Sequence, residues 1–434
     1  MKRNKVFLLT IVSIAAAGAA VAAPARGDLF SYVSAPDPSY SWELRRTETR
    51  AQGKVYDIFM VSQTWQNIKW DHHLQVYEPT NVEFPDAMPL HITGGDPSAA
   101  DELLGLTLAN LIGARLAILY NIPKQPLFDG LKEDALISYT WMQYLKTGDE
   151  DWILLFPMVK AAVRAMDTLE QVAQQQWGAK LRGFMVLGAS KRGWTTYLTG
   201  AYDPERVIAM APMVFDILNM PVNAYHQKEF WGSFSPQIAD YTEKGLEQFA
   251  ETGRGFRLFW MVDPYSYRYR LLMPKLIVLG SNDPYWPTDA VNYYWRGLSN
   301  PKLLLIAPNS GHGLDDRSRV LGALAGFFRL IAKRQEVPRI NWDISEATDG
   351  AKFNIEADQP AMEGRMWVAR SPIRDFRKAR WEEAPLTADG RVWHGSVQRA
   401  VGQYTAAYAE LVFDVDGRKM YTSTQPIVMH PVPK

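Results

Sequence analysis

The middle of the chain alternates short apolar runs with amphipathic ones. Lys54–Val61 and His73–Tyr77 alternate apolar and polar positions as strands do, and Met88–Thr93 is a third strand that runs into Gly94-Gly95. Ser98 opens an amphipathic helix, with Asp101 three residues on as its capping-box partner. Ala114–Tyr120 is a short apolar strand closed by Asn121-Ile122-Pro123, and helical periodicity follows over Leu131–Lys146 and Trp152–Gln176. Leu181–Leu187 and Arg206–Phe215 read as buried strands around a helical Thr195–Ala201, and Lys275–Gly280 and Lys302–Ala307 close the series, followed by helices over Asp289–Arg296 and Asp315–Lys333. This alternation predicts an α/β fold with a doubly wound, mostly parallel sheet.

Two stretches break the pattern. Ile217–Arg270 has no clear strand and is rich in Trp, Tyr and Phe, which predicts a mostly helical cap inserted over the strand ends. After Pro338 short alternating runs take over, at Lys352–Glu356, Met366–Arg370, Val392–Val397, Tyr404–Phe413 and Met420–Val428, split by turns such as Ala388-Asp389-Gly390 and Asp416-Gly417. They predict a small C-terminal β-sandwich of the immunoglobulin or fibronectin kind. The expected division is a main α/β domain over 28–335, with the cap at about 217–270, and the sandwich over 336–434.

The N-terminus has a different texture. Lys2, Arg3 and Lys5 precede an apolar run from Val6 to about Ala20, and small residues cluster at Ala20, Ala22, Ala23 and Ala25. That order is the pattern of a secretory signal over residues 1–25. The run is shorter than the ~20 residues a spanning helix needs, and no later run reaches that length, so no stable membrane span is expected once the signal is removed. Removal would take the 47 basic residues to 44 against 47 acidic ones. The near-neutral balance gives no footprint for nucleic acid. The chain has no cysteine, which excludes disulfides, thiolate nucleophiles and cysteine metal sites. An exported, periplasmic or extracellular protein is the expectation; the oligomeric state is not legible.

The chemistry concentrates on one turn. Strand Leu181–Leu187 runs into Gly188-Ala189-Ser190-Lys191-Arg192-Gly193, and a helix starts at once. A serine on a tight strand-to-helix turn is the nucleophile-elbow arrangement, here with Arg192 where G-x-S-x-G has its second glycine. The same G-x-S-x-x-G stands one substitution from a dinucleotide fingerprint, with Asp203 or Asp216 as the ribose acid, and a serine at a helix start also serves simply as a cap. The rest of the chain favours the elbow. A serine hydroxyl needs a base, and in such folds the order is Ser, acid, His. His312, in Pro308-Asn309-Ser310-Gly311-His312-Gly313 directly after a buried strand, is the candidate base; His394 and His430 fall on ordinary strand-like runs. Asp283, in Gly280-Ser281-Asn282-Asp283, is the candidate acid, with Asp216 as its main rival and Asp289 read as a helix-start charge. The oxyanion donors would be the backbone N–H of Lys191 and the Gly94-Gly95 loop, with the Lys191 side chain either adding positive charge there or pairing, like Arg192, with internal carboxylates. The cap aromatics Trp231, Phe234, Trp260, Tyr265 and Tyr267 could line an acyl or leaving-group pocket or simply pack. His72-His73 has no convincing third ligand, no H-E-x-x-H occurs, and neither metal nor cofactor is expected.

Ser62-Gln63-Thr64-Trp65, Gly188-Ala189-Ser190-Lys191-Arg192-Gly193-Trp194, Asp216-Ile217-Leu218-Asn219-Met220 and Pro308-Asn309-Ser310-Gly311-His312 together resemble the PhoPQ-activated pathogenicity-related family, from about Leu29 to the C-terminal strands. The resemblance implies an exported α/β-hydrolase-like protein associated with bacterial virulence and resistance to membrane-active peptides; the family also includes a secreted eukaryotic growth repressor. The catalytic region is distantly similar to prolyl-oligopeptidase-type peptidases, without their propeller, and the G-x-S-[KR]-x-G turn is similar to that of glucuronoyl esterases. The expectation is a serine hydrolase using Ser190, His312 and Asp283 on a peptide (amide) or small ester bond, carbohydrate-linked carboxylic esters being an alternative substrate class. The competing expectation is a non-catalytic secreted binding or signalling protein on the same scaffold.

Overall fold

A computed structural model describes residues 28–249 and 251–433. The expected signal segment lies outside the described residues. The main sheet has nine strands: β1 (Ser41–Arg50), β2 (Gly53–Trp65), β3 (Ile68–Pro79), β4 (Ala87–Ile92), β5 (Leu116–Leu119), β6 (Gly183–Ala189), β7 (Val207–Met213), β8 (Lys275–Gly280) and β9 (Lys302–Ala307). Their order across the sheet is β1-β2-β3-β5-β4-β6-β7-β8-β9. The first three pair antiparallel, β3 also meets β5 antiparallel, and from β5 to β9 every pairing is parallel. This is the α/β-hydrolase arrangement, with helices on both faces.

The central strands are continuous apolar runs because both of their faces are covered. One face is covered by α1 (Leu29–Ser34), α3 (Glu133–Thr147), α4 (Leu155–Trp177) and α5 (Lys191–Tyr202), the other by α2 (Ala99–Ile112) and later α10 (Arg317–Ala332). Ser98 and Asp101 close the capping box of α2, as their spacing predicts. The motif residues Ser62 and Gln63 are buried structural ties: Ser62 Oγ lies 2.9 Å from His72 Nε2, and Gln63 Nε2 donates to the Pro157 carbonyl.

The cap comprises α6 (Met220–Trp231), the short α7 (Ala239–Thr242) and α8 (Leu246–Phe249), α9 (Gly253–Val262) and a 3-10 run over Pro264–Arg270. Asp263 fastens both of its ends, accepting the backbone N–H groups of Asn219 and Met220 on entry and of Tyr265 on exit. The helix expected over Asp289–Arg296 is instead two 3-10 turns, Ala290–Tyr293 and Trp295–Gly297. No helix among the described residues is long and apolar enough to cross a membrane.

The C-terminal strands are β10 (Ile340–Glu346), β11 (Gly350–Ala357), β12 (Glu363–Ser371), β13 (Glu382–Pro385), β14 (Thr387–Asp389), β15 (Val392–Gln398), β16 (Tyr404–Val415), β17 (Arg418–Ser423) and β18 (Ile427–Met429). They form two antiparallel sheets, β10-β11-β15-β14 and β13-β12-β16-β17 with β18 beside β16. The run expected over Met420–Val428 is therefore two strands. These sheets cover the open edge of β9: Ser423 Oγ accepts the N–H of Ile306, while Thr422 and Tyr408 donate to the carbonyls of Leu304 and Ile306. An exposed parallel edge is thereby closed by side chains. Against α10 the approach is close enough that a Cβ at Gly322 would lie 2.7 Å from the Lys419 carbonyl oxygen.

Candidate active site

Ser190 sits between β6 and α5 with φ 57° and ψ −126°. A non-glycine residue in that region costs about 1–3 kcal/mol and persists only where its surroundings enforce it. Here they do. The Ser190 N–H is held by the Met213 carbonyl at 2.8 Å, and its own carbonyl takes the N–H of Trp194. The turn closes because Gly188 and Gly193 lack side chains: a Cβ at Gly188 would lie 2.7 Å from the Arg192 carbonyl oxygen, and one at Gly193 would lie 2.8 Å from that of Met213. The glycine needed after the serine is thus the one that packs on β7, three positions on rather than two. This geometry is a nucleophile elbow, with the serine lifted off the sheet end.

Asp283 and His312 come from the loops after β8 and β9. His312 Nδ1 lies 2.8 Å from Asp283 Oδ2, and Asp283 Oδ1 accepts the Tyr285 N–H. His312 Nε2 is buried and has no hydrogen-bond partner among the described residues, Ser190 included. Tyr285 lies beside both candidates: its ring stacks on His312 with centroids 4.1 Å apart, and it lines the cavity that opens at Ser190. The two loops cross tightly, since a Cβ at Gly280 would lie 2.4 Å from the Gly311 carbonyl oxygen.

The rival acids are otherwise engaged. Asp216 is buried and accepts a 2.7 Å hydrogen bond from Tyr294. Burial, with the nearby Asp283 and Asp289 carboxylates adding to it, pushes its carboxyl well above the usual range. Asp289 does stand at the start of a 3-10 turn, but its side chain makes no capping hydrogen bond; its Oδ1 lies 2.7 Å from His226 Nε2 on α6, joining cap to core.

The side chains of Lys191 and Arg192 bind internal carboxylates. Lys191 Nζ lies 2.8 Å from Glu133 Oε2 and 3.2 Å from Asp134 Oδ2, so the Lys191 side chain is a paired charge in the cavity wall. Arg192 grips both Glu133 oxygens at 2.7 Å and donates to the Ile122 carbonyl. Burial opposes the charged form of Glu133, but the hydrogen bonds and charges of Arg192 and Lys191 outweigh it and hold this carboxyl well below the usual range. The same guanidinium explains Gly94, where a Cβ would fall 2.2 Å from Arg192 Nη2. Gly95, at φ 69°, gives its carbonyl to the N–H of Asn121. The loop bearing the expected second oxyanion donor therefore rests on Arg192, a role that the motif alone does not disclose.

A cavity of about 390 Å³ opens at Ser190. Of the expected pocket residues, Phe234 lines it, whereas Trp231, Trp260 and Tyr265 do not. Trp231 lies under the Arg377 guanidinium, Trp260 is half exposed beside Tyr267, and Tyr265 is packed against Gly297 and Arg268. The walls are supplied instead by Trp141, Trp194 and Phe215 of the core and Met220, Leu246 and Phe259 of the cap. Trp141, Trp194 and Phe215 precede the cap in sequence, so the cap's composition pointed at the right surface but, Phe234 apart, at the wrong side chains.

The segment 372–381, between β12 and β13, also belongs to the site. Asn282 Nδ2, beside Asp283, donates to the carbonyls of Phe376 (2.9 Å) and Ala379 (2.7 Å). Asn309, ahead of His312, pairs with the N–H and C=O of Trp381. Arg374 and Arg377 stack over Phe230 and Trp231 of α6. One strap thus touches the acid loop, the base loop and the cap. Asparagines at 282 and 309, each at the end of a strand beside a candidate catalytic residue, are the sequence signal for it.

Among known proteins, the chain is 32% identical over 404 residues to autocrine proliferation repressor protein A of Dictyostelium discoideum, covering 86% of this chain and 79% of that one. Similar solved structures include an acetyl xylan esterase from Paenibacillus sp. R4 (13% identity, 67% of this chain and 90% of that one, TM-score 0.47) and an S-formylglutathione hydrolase from Agrobacterium tumefaciens (15%, 68% and 100%, TM-score 0.45). The model of the PhoPQ-activated pathogenicity-related proteins matches residues 29–377, a span that runs from α1 through most of the strap. On that match and the Dictyostelium relative together, the chain belongs to the PhoPQ-activated pathogenicity-related protein family.

Proposed function

We propose that the protein is an exported serine hydrolase that cleaves an ester or amide bond, with Ser190 as nucleophile, His312 as general base and Asp283 as its orienting acid. The observation that carries this reading is the His312–Asp283 contact at 2.8 Å, with Nε2 buried and unpartnered among the described residues, at the same end of the parallel strands as a serine held in elbow geometry. Asp283 accepts the Nδ1 proton, fixes the tautomer and stabilises the imidazolium that forms. Ser190 Oγ passes its proton to Nε2 as it attacks the carbonyl carbon. The N–H of Lys191, at the first turn of α5 where helix N–H groups have no intrahelical partner, and those of the Gly94-Gly95 loop receive the developing oxyanion. The leaving group takes the proton back from Nε2, and water repeats the cycle on the acyl-enzyme. Export rests on the N-terminal charge and apolar pattern, and a pathogenicity-related role rests on family membership.

A second reading is supported by the Dictyostelium relative, whose name describes repression of proliferation: a secreted signalling protein that acts by binding. A panel of aryl esters and aminoacyl arylamides, run with wild type and Ser190→Ala, separates the two. Turnover that disappears in Ser190→Ala supports the hydrolase; no turnover by either protein supports the binding reading.

A further inference from the structure

Resting on the hydrolase reading, we infer that the cavity beside Ser190 takes an uncharged apolar group attached to the scissile bond, aliphatic or aryl, and that glycosyl esters are not its substrates. Its walls are buried apolar side chains, Trp141, Trp194, Phe215, Met220 and Leu246 among them. Among the described residues, no Asn, Gln, His or Arg lines it. Binding sites fix polar ligands with a few well-placed groups of these kinds, and a sugar ring without them would lose its hydration uncompensated.

The buried charged groups that reach the cavity satisfy one another, and Thr242 Oγ1 donates to the Ile238 carbonyl. Tyr241 OH donates to Asp134 Oδ1 at 3.0 Å, and Asp134 Oδ2 pairs with Lys191 Nζ, which also pairs with Glu133. Lys228 lies over the Phe234 ring at 4.5 Å, and it and Glu251 are exposed. Two indoles are left over as buried donors. Trp141 Nε1 and Trp286 Nε1 are buried donors without a partner among the described residues, and both residues line the cavity. They can take an acceptor such as a carbonyl or ether oxygen. A site with mostly apolar walls and orphan indole donors matches an acyl or aryl group carrying an oxygen better than a ring bearing several hydroxyls.

The test is a specificity series on the full mature chain: 4-nitrophenyl esters from acetate to octanoate, acetates of alcohols from ethanol to octanol, and acetylated xylo-oligosaccharide. Each buried methylene corresponds to about a fourfold change. The expected result is a kcat/KM that rises at least about tenfold along one of the two homologous series and exceeds that for the oligosaccharide. Ala224→Trp and Leu246→Trp, which fill the cavity from α6 and α8, are expected to flatten the rise. A flat or falling pair of series, a preference for the oligosaccharide, or a rise that survives in both variants would overturn the inference. Labelling of wild type by a small fluorophosphonate runs beside it: labelling without this specificity sinks the inference alone, whereas absence of labelling sinks the hydrolase reading itself.

Discussion

Asn309 and Trp381 hold each other through two hydrogen bonds: the Asn309 carboxamide oxygen accepts the Trp381 N–H at 2.8 Å, and its nitrogen donates to the Trp381 carbonyl at 3.0 Å. Asn309 lies at φ 53°, three residues before His312. Trp381 is buried against Phe376 and Tyr408, so the base loop is fastened to the C-terminal sheets. The consequence is that these sheets set the geometry of the candidate base loop.

Asn309→Ala and Asn282→Ala each remove side-chain hydrogen bonds to the strap, at about 1 kcal/mol per bond. Both variants are expected to melt at lower temperature. Well below melting, both should lose on the order of 10- to 100-fold in kcat, with KM changed far less, because small misplacement of a base costs rate rather than binding. Steady-state kinetics beside a melting curve checks this; equal losses in kcat and KM, or full activity in a less stable protein, would assign the asparagines a purely structural part.

The two buried aspartates separate cleanly. Asp283→Asn leaves His312 without the acceptor that fixes its tautomer and is expected to reduce kcat by on the order of 10⁴. Asp216→Asn keeps an acceptor for Tyr294 and should retain activity. It should also stabilise the protein. The Asp216 carboxyl is raised in the fold, so its favourable contribution is complete below the ordinary aspartate value of 3.8 and is lost as the pH climbs toward the folded value. Asparagine does not ionise, so the variant's melting temperature should exceed that of wild type increasingly as the pH rises above 4. Melting curves across pH 4–9 read this directly.

Arg192 is expected to act as a positioning residue. Arg192→Lys retains the charge but loses the two-pronged grip on Glu133 and the bond to Ile122, which should cost about 2–3 kcal/mol and loosen the Gly94 loop. Gly94→Ala approaches the same defect from the other side, by pushing the guanidinium away. Both variants are expected to lower kcat, toward the 100- to 1000-fold that follows loss of an oxyanion donor. If both act through the one contact, the double variant should be little worse than the poorer single one.

Much of this fold is legible in the residues. β8 and β9 fall where their apolar runs begin and end, because both faces of these strands are buried and turn residues bound them. β1, Ser-Trp-Glu-Leu-Arg-Arg-Thr-Glu-Thr-Arg, is invisible to the same test: it is an edge strand with mostly exposed side chains, formed by pairing with β2. The apolar spacing over Asp289–Arg296 suggests a helix, but Asp289 is drawn to His226, and the segment winds into 3-10 turns. At the candidate site, motif and order pointed to Ser190, Asp283 and His312. The Lys191 and Arg192 partners and the strap were not legible, because each depends on residues more than fifty positions away, and the cavity walls were not, because side chains from several separate elements meet there only in the folded chain.

The central claim is that Ser190 is activated by His312. The most direct measurement is the rate of fluorophosphonate labelling of the mature protein, wild type beside Ser190→Ala and His312→Ala, with the labelled residue located by peptide mass. Stoichiometric labelling of Ser190 that is absent in Ser190→Ala and slowed by at least about 10³-fold in His312→Ala is the predicted result. A folded wild-type protein that does not label, or labelling of Ser190 that proceeds equally well without His312, would contradict it.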